Sequence, residues 1–132
     1  STFILQDLKT INDIDLTRQT LEREALRTVS SSPILKDLPV WESLLKKLDE
    51  EGTVQREDVI REILILSNNR LSLKMWFLLK QYGEEPYRGY SDENEQEIIH
   101  QLLHAIKGGK MEQAVETYNA WTDLLAKGRE KL

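Results

Sequence analysis

The stretch IIHQLLHAIKGGK, residues 98–110, carries both histidines of the chain, His100 and His104, one helical turn apart. Two imidazoles at that spacing lie on one side of a helix and can chelate a transition metal. A helix turns by about 100° per residue, so the direction of the pair is readable. Ile98, Ile99, Leu102, Leu103, Ala105 and Ile106 form one apolar face centred near Ile99 and Leu102. His100 and His104 fall on the opposite side, with Glu97 and Lys107. The pair is therefore expected to face solvent. Metal capture by it would need a third ligand from a neighbouring chain, and no metal or other cofactor is expected.

Two arginines fall on faces that should be apolar. In the first long helix Ile14, Leu21, Ala25 and Val29 form a stripe, with Arg18 in its middle. In the third, Val59, Ile60, Ile63, Leu64 and Ser67 define the inward face, and Arg56 lies near its centre. A buried guanidinium is costly unless it is paired and hydrogen-bonded. Three uses are open. The heads can reach water at a bundle end. They can pair with acids, Arg18 with Glu22 one turn later, although Arg56 has no inward acid on its own helix. They can line a cavity and hold an anion in the two-pronged geometry that guanidinium favours.

The elements that must position these groups are helical nearly throughout. Helices are expected over about 13–29, 34–50 with a break or restart at Pro39, 54–67, 70–82, from a cap at Ser91 or Asp92 to about Lys107, and 110–126. Their ends carry familiar signals: serines before Pro33, Gly52 as a stop, Thr53 as a cap and the KGGK turn. The fold class is all-α, an antiparallel bundle of about six helices with short connections. With 132 residues, 39% hydrophobic and 31% charged, the chain supports one modest core. No segment approaches a membrane span, and STFILQ lacks the regions of a signal peptide. The absence of cysteine removes thiolate chemistry and suits a reducing cytosol, so a cytoplasmic location is expected. A net charge of −5 argues against direct contact with nucleic-acid phosphates.

Three stretches together resemble the FCD domain, the C-terminal effector-binding domain of GntR-type, FadR-like bacterial transcription regulators. LTRQTLEREALRTV is similar to the family's opening helix, with Arg18, Leu21 and Glu22 meeting its Arg-x-x-Leu-Glu motif. REDVIREILILSNN resembles the inward helix ending in Ser-Gly-Asn-Pro; Ser67 and Asn69 match, and Asn68 and Arg70 replace the glycine and proline. EIIHQLLHAIKGGKMEQAVETYNAW resembles the closing helix pair, where Ala105, Ile106 and Gly109 match and Lys110 replaces an aspartate. STFI is similar to the strand that ends the winged helix-turn-helix of such regulators. The resemblance thus implies that residues 1–12 are the end of a wing strand and a linker from a missing DNA-binding domain. Residues 13–132 would be the helical effector-binding and dimerisation domain.

Metal-binding members of that family use one aspartate and three histidines inside the bundle. Carried over, those positions fall on Arg56, Ile60, Ile99 and Trp121, or on Asp123 for the last if the final helix is shifted. Arg56, Ile60 and Ile99 all lie on inward faces by the helical wheel, as does Trp121 within a stripe of Met111, Ala114, Tyr118 and Leu125. The metal site is expected to be lost, as it is in the FadR branch, which senses fatty acyl-CoA. The resemblance then implies a ligand-sensing domain of a homodimeric regulator, with DNA contacted only through the missing domain. Its effector would be a carboxylate or acyl compound, Arg56 and Arg18 the cationic centre, and Ile60, Trp76, Ile99 and Trp121 the apolar wall. The alternatives are a dimerisation-only domain whose cavity has filled with side chains, or a helical adaptor with no effector. An enzyme is not expected: no nucleophile triad, phosphate loop or inward carboxylate pair stands out.

Overall fold

The structure is a computed structural model that describes residues 8–83 and 92–130. Six α-helices make up almost all of it: α1 (Leu8–Ser31), α2 (Pro39–Glu51), α3 (Arg56–Leu66), α4 (Arg70–Gly83), α5 (Glu95–Lys107) and α6 (Met111–Glu130). A short 3-10 turn, Leu35–Asp37, leads into α2. No strand occurs among the described residues. The fold is an all-α bundle, as the periodicity predicts. The expected STFI strand and Ser91 lie outside the described residues, while residues 8–12, expected as linker, are the first turns of α1.

The connections follow from local chemistry. Pro39 occupies the first turn of α2, where its missing N–H costs nothing. Gly52 ends α2 in the left-handed conformation, at φ 78°. Asn68, at the glycine position of the Ser-Gly-Asn-Pro pattern, has φ 58°; asparagine tolerates that region better than other side chains. The α5–α6 turn is a Schellman motif. Gly109 has φ 67° and its N–H reaches Ile106 O at 3.0 Å, while the Lys110 N–H reaches Ala105 O at 3.0 Å. A Cβ on Gly109 would also meet Lys36 Cδ at 3.0 Å. Two expected caps are corrected. Gln55, not Thr53, holds the N-cap of α3, and Asn94 that of α5, neither through its side chain. Asp92 instead accepts the Asn94 N–H at 2.7 Å.

α1 packs against α3, α4, α5 and α6, and α5 against α6, α2 and α1. The core they enclose holds Leu26 and Val29 of α1, Trp41 and Leu45 of α2, Val59, Ile63 and Leu64 of α3, Trp76 of α4, Ile99, Leu102, Leu103, Ala105 and Ile106 of α5, and Ala114, Tyr118, Trp121 and Leu125 of α6. The buried face of α1 is rotated from the expected stripe. Ile14 and Leu21 are half-buried, whereas Asp15, Glu22, Ala25, Leu26 and Val29 are buried. Polar groups thus enter the core from α1, and that rotation builds the site.

Candidate functional site

Two carboxylates are sunk into the bundle, Glu22 on α1 and Glu95 at the start of α5, 3% and 5% exposed. An isolated buried carboxylate is prohibitively costly, so each must be surrounded by donors. Glu22 is met by three. Arg18, one turn earlier, donates from Nη1 to Oε2 at 2.8 Å. The Trp76 indole of α4 donates to the same oxygen at 2.7 Å, and the Tyr118 hydroxyl of α6 donates to Oε1 at 2.6 Å. Asp15, also buried, lies 3.6 Å from Arg18 Nη2. Glu95 is gripped by Arg56 of α3 in a fork, Nε to Oε2 at 2.7 Å and Nη2 to Oε1 at 3.0 Å. The Trp121 indole of α6 donates to Oε2 at 2.7 Å.

α6 ties the two centres together. Tyr118 and Trp121 are three residues apart, hence on one face, and each serves a different carboxylate. Gln96, next to Glu95, clamps the segment before α3: its Oε1 accepts the Val54 N–H at 2.9 Å. That contact sets the start of α3 against the start of α5 and brings Arg56 within reach of Glu95.

Between the centres lies a cavity of about 30 Å³ lined by Arg18, Arg56, Ile60, Tyr118, Trp121, Thr122 and Leu125. That is room for roughly one or two water molecules. Of the six residues expected to form an effector site, Arg18, Arg56, Ile60 and Trp121 meet at this cavity. Trp76 and Ile99 do not line it. Trp76 turns its N–H to Glu22 on the α1 side, and Ile99 is buried in the hydrophobic core. Trp121, one of the positions where the resemblance carries a histidine, fills space with its ring and ties its one polar atom to Glu95.

Among the described residues the charges of the site sum to zero. Two guanidinium groups face two carboxylates, Asp15 adds one negative charge, and the Arg23 guanidinium, 5.8 Å from the Tyr118 ring centroid, adds one positive. Burial, with the Glu22 charge and the hydrogen bond to it, holds the Tyr118 hydroxyl well above its ordinary value of 10.0, so it stays a donor. The two centres join α1, α3, α4, α5 and α6 through ion pairs and hydrogen bonds, while among the described residues the buried Arg23 Nε has no hydrogen-bond partner.

The acids were harder to find in the sequence than the arginines. Glu95 sits in the acidic SDENEQE segment, which reads as a first helical turn meeting the helix dipole. The signal that finds it is register: Glu95, Ile99, Leu102 and Ile106 share one face of α5, and all are buried. The histidines are elsewhere. His104 is exposed, His100 half-buried, and their rings stack edge to face with centroids 4.5 Å apart. Among the described residues no group of three or more His, Cys, Asp or Glu could hold a metal ion. No protein-family model matches the chain, and no curated protein or solved structure matches it.

Proposed function

We propose that the chain is the helical association domain of a GntR/FadR-type transcription regulator, with its effector position closed by its own carboxylates. The family part rests on the order and spacing of the three sequence motifs. The second part rests on one observation: both arginines that could receive an effector are engaged by buried glutamates, around a cavity of about 30 Å³. Pockets for small molecules run to roughly 300 Å³ or more. In this reading the domain is not an enzyme and takes no cofactor. It pairs two copies and sets the spacing of two winged helix-turn-helix domains, through which alone DNA is contacted.

Thermal unfolding in the presence of millimolar di- and tricarboxylates, or of fatty acyl-CoA, tests the closed site. No rise in midpoint is expected, and a rise of several degrees with any of them overturns it. The reading frame upstream of Ser1 tests the family: a winged helix-turn-helix there supports the assignment, and any other fold overturns it.

A sensing role is the second reading, favoured by one observation. The Arg56 side chain is 28% exposed and lines the cavity, so an incoming carboxylate could displace Glu95 from the fork. Binding would then select the displaced arrangement and shift the population toward it. In that case Glu95→Gln tightens carboxylate binding and Arg56→Ala abolishes it. If the first reading holds, neither variant binds.

A further inference from the structure

Among the described residues, one face of α4 is left uncovered. Leu71, Met75, Leu78 and Tyr82 are 70%, 41%, 46% and 50% exposed. They succeed each other at intervals of four, three and four residues, which places them within a narrow stripe about 16 Å long. Trp76, on the opposite side of the helix, is buried against Glu22. The stripe leaves on the order of 400 Å² of apolar surface open, the size at which a patch on a soluble domain marks a contact site.

We infer that this stripe docks on the same stripe of a second copy, with the two α4 helices antiparallel about a twofold axis between Met75 and Leu78. The inference deepens the association reading and rests on it for the existence of a dimer. Three features select a second copy in this orientation. The spacing reads the same in both directions, so the stripe is self-complementary under a twofold rotation. Leu71 of each copy meets Tyr82 of the other, and Met75 meets Leu78.

Charge selects the orientation. α4 contains Arg70, Lys74 and Lys80 and no acid, so two copies pair best where these like charges are kept apart. Lys80 is already engaged by Glu57. Arg70 and Lys74 are exposed and both lie in the first half of the helix. Parallel pairing would gather four positive charges at one end. Antiparallel pairing puts them at opposite ends, where the neighbouring exposed flank residue is the uncharged Gln81. Area is the third feature. Two stripes bury about 800 Å² between them, and the flanking Ser72, Lys74, Leu79 and Gln81 carry the total toward the roughly 1,200 Å² at which specific dimers begin.

The chain has no cysteine, so introduced thiols report the geometry directly. Wild-type chain should sediment as a dimer at about 100 µM. Leu78→Asp should weaken self-association at least about ten-fold, with an unchanged helical circular dichroism spectrum. Under mild oxidation a mixture of Leu71→Cys and Tyr82→Cys chains should cross-link, while neither should cross-link alone. Cross-linking of each variant with itself points to parallel pairing and overturns the proposed geometry. A dimer that survives Leu78→Asp overturns this face and leaves the association reading standing. A monomeric wild type, with the stripe left to another protein or another segment of the chain, overturns both.

Discussion

The two carboxylate centres are built from the same parts and differ in how the parts arrive. At Glu22 the arginine comes from one turn away on the same helix, and two further donors come from α4 and α6. At Glu95 the arginine comes from another helix, 39 positions away in sequence, and grips both oxygens. The Arg18 side chain is 15% exposed and Arg56 is 28%. The first centre is therefore the more deeply enclosed and the second the more directional. A local pair is assembled as soon as its helix forms. A distant one forms when the bundle closes, and it selects which helices lie together. Ion pairs of this kind add little net stability, because desolvation offsets most of the attraction. Removing one partner is a different matter, since the other stays buried and unmatched.

The largest effect should come from Glu22→Ala. It leaves Arg18, the Trp76 N–H and the Tyr118 hydroxyl without their acceptor in a site with little access to water, and should cost about 3–5 kcal/mol. Urea unfolding followed by circular dichroism measures it. Glu95→Ala should cost less, about 2–3 kcal/mol, because the freed Arg56 can turn its head to solvent and one indole N–H is stranded rather than two donors. An equal or reversed order would show that burial does not separate the two centres. Replacing each acid together with its arginine by apolar residues should recover much of the loss at both.

That difference also explains what could be read from the chain. Helix periodicity finds all six helices, because it depends on neighbours three and four positions apart, but it starts the first five residues late and merges the 3-10 turn at Leu35–Asp37 into the second. The Arg18–Glu22 pair was visible as an option for the same reason. Glu95 is harder to read: register puts it on the buried face of α5, but the partner that makes a charge tolerable there, Arg56, is on α3. The rotation of α1 was hidden likewise. Ile14 and Leu21 outrank Asp15 and Glu22 by hydrophobicity, and only Trp76, Tyr118 and Arg18 together make the acidic face the one worth burying. Four of the six expected site residues do share a cavity. Its small volume was beyond the sequence, since it depends on how Trp121 fills the space.

A smaller effect separates the centres by pH. Tyr118 serves Glu22 and not Glu95, and its ionisation is pushed well above 10.0 by burial and by the Glu22 charge. A group whose proton is held more tightly in the folded state contributes stability that is whole below its ordinary value and is lost as pH rises through the folded one. Wild-type stability should therefore fall more steeply above about pH 10 than that of Tyr118→Phe. At neutral pH the variant should be weaker by about 1.5–2 kcal/mol, the loss of one hydrogen bond to a charged acceptor. Parallel curves for the two proteins above that pH would mean that Tyr118 ionises freely and does not depend on the Glu22 centre.

The smallest effect is expected where a pair of the same charge types lies on the surface. Glu42 of α2 is engaged by Lys107 of α5. The hydrogen bond from Lys107 lowers the Glu42 carboxyl below 4.5, the Lys107 charge adds to this, the slight desolvation opposes it, and His104 contributes a little more. Held below its ordinary value, the carboxylate supports the fold above that value and ceases to do so as pH falls through the lowered one. The site is open to water, however, and ions screen it within about 3 Å at 1 M salt. Lys107→Met should therefore move the Glu42 titration upward, read by NMR of the side-chain carboxyl, while leaving the urea midpoint where it was. High salt should reproduce the upward shift in the unmutated chain, and the same salt should leave the unfolding cost of Glu22→Ala unchanged. A midpoint that drops with Lys107→Met would place the α2–α5 pair among the structural ones and erase the contrast between enclosed and exposed charge on which the ordering rests.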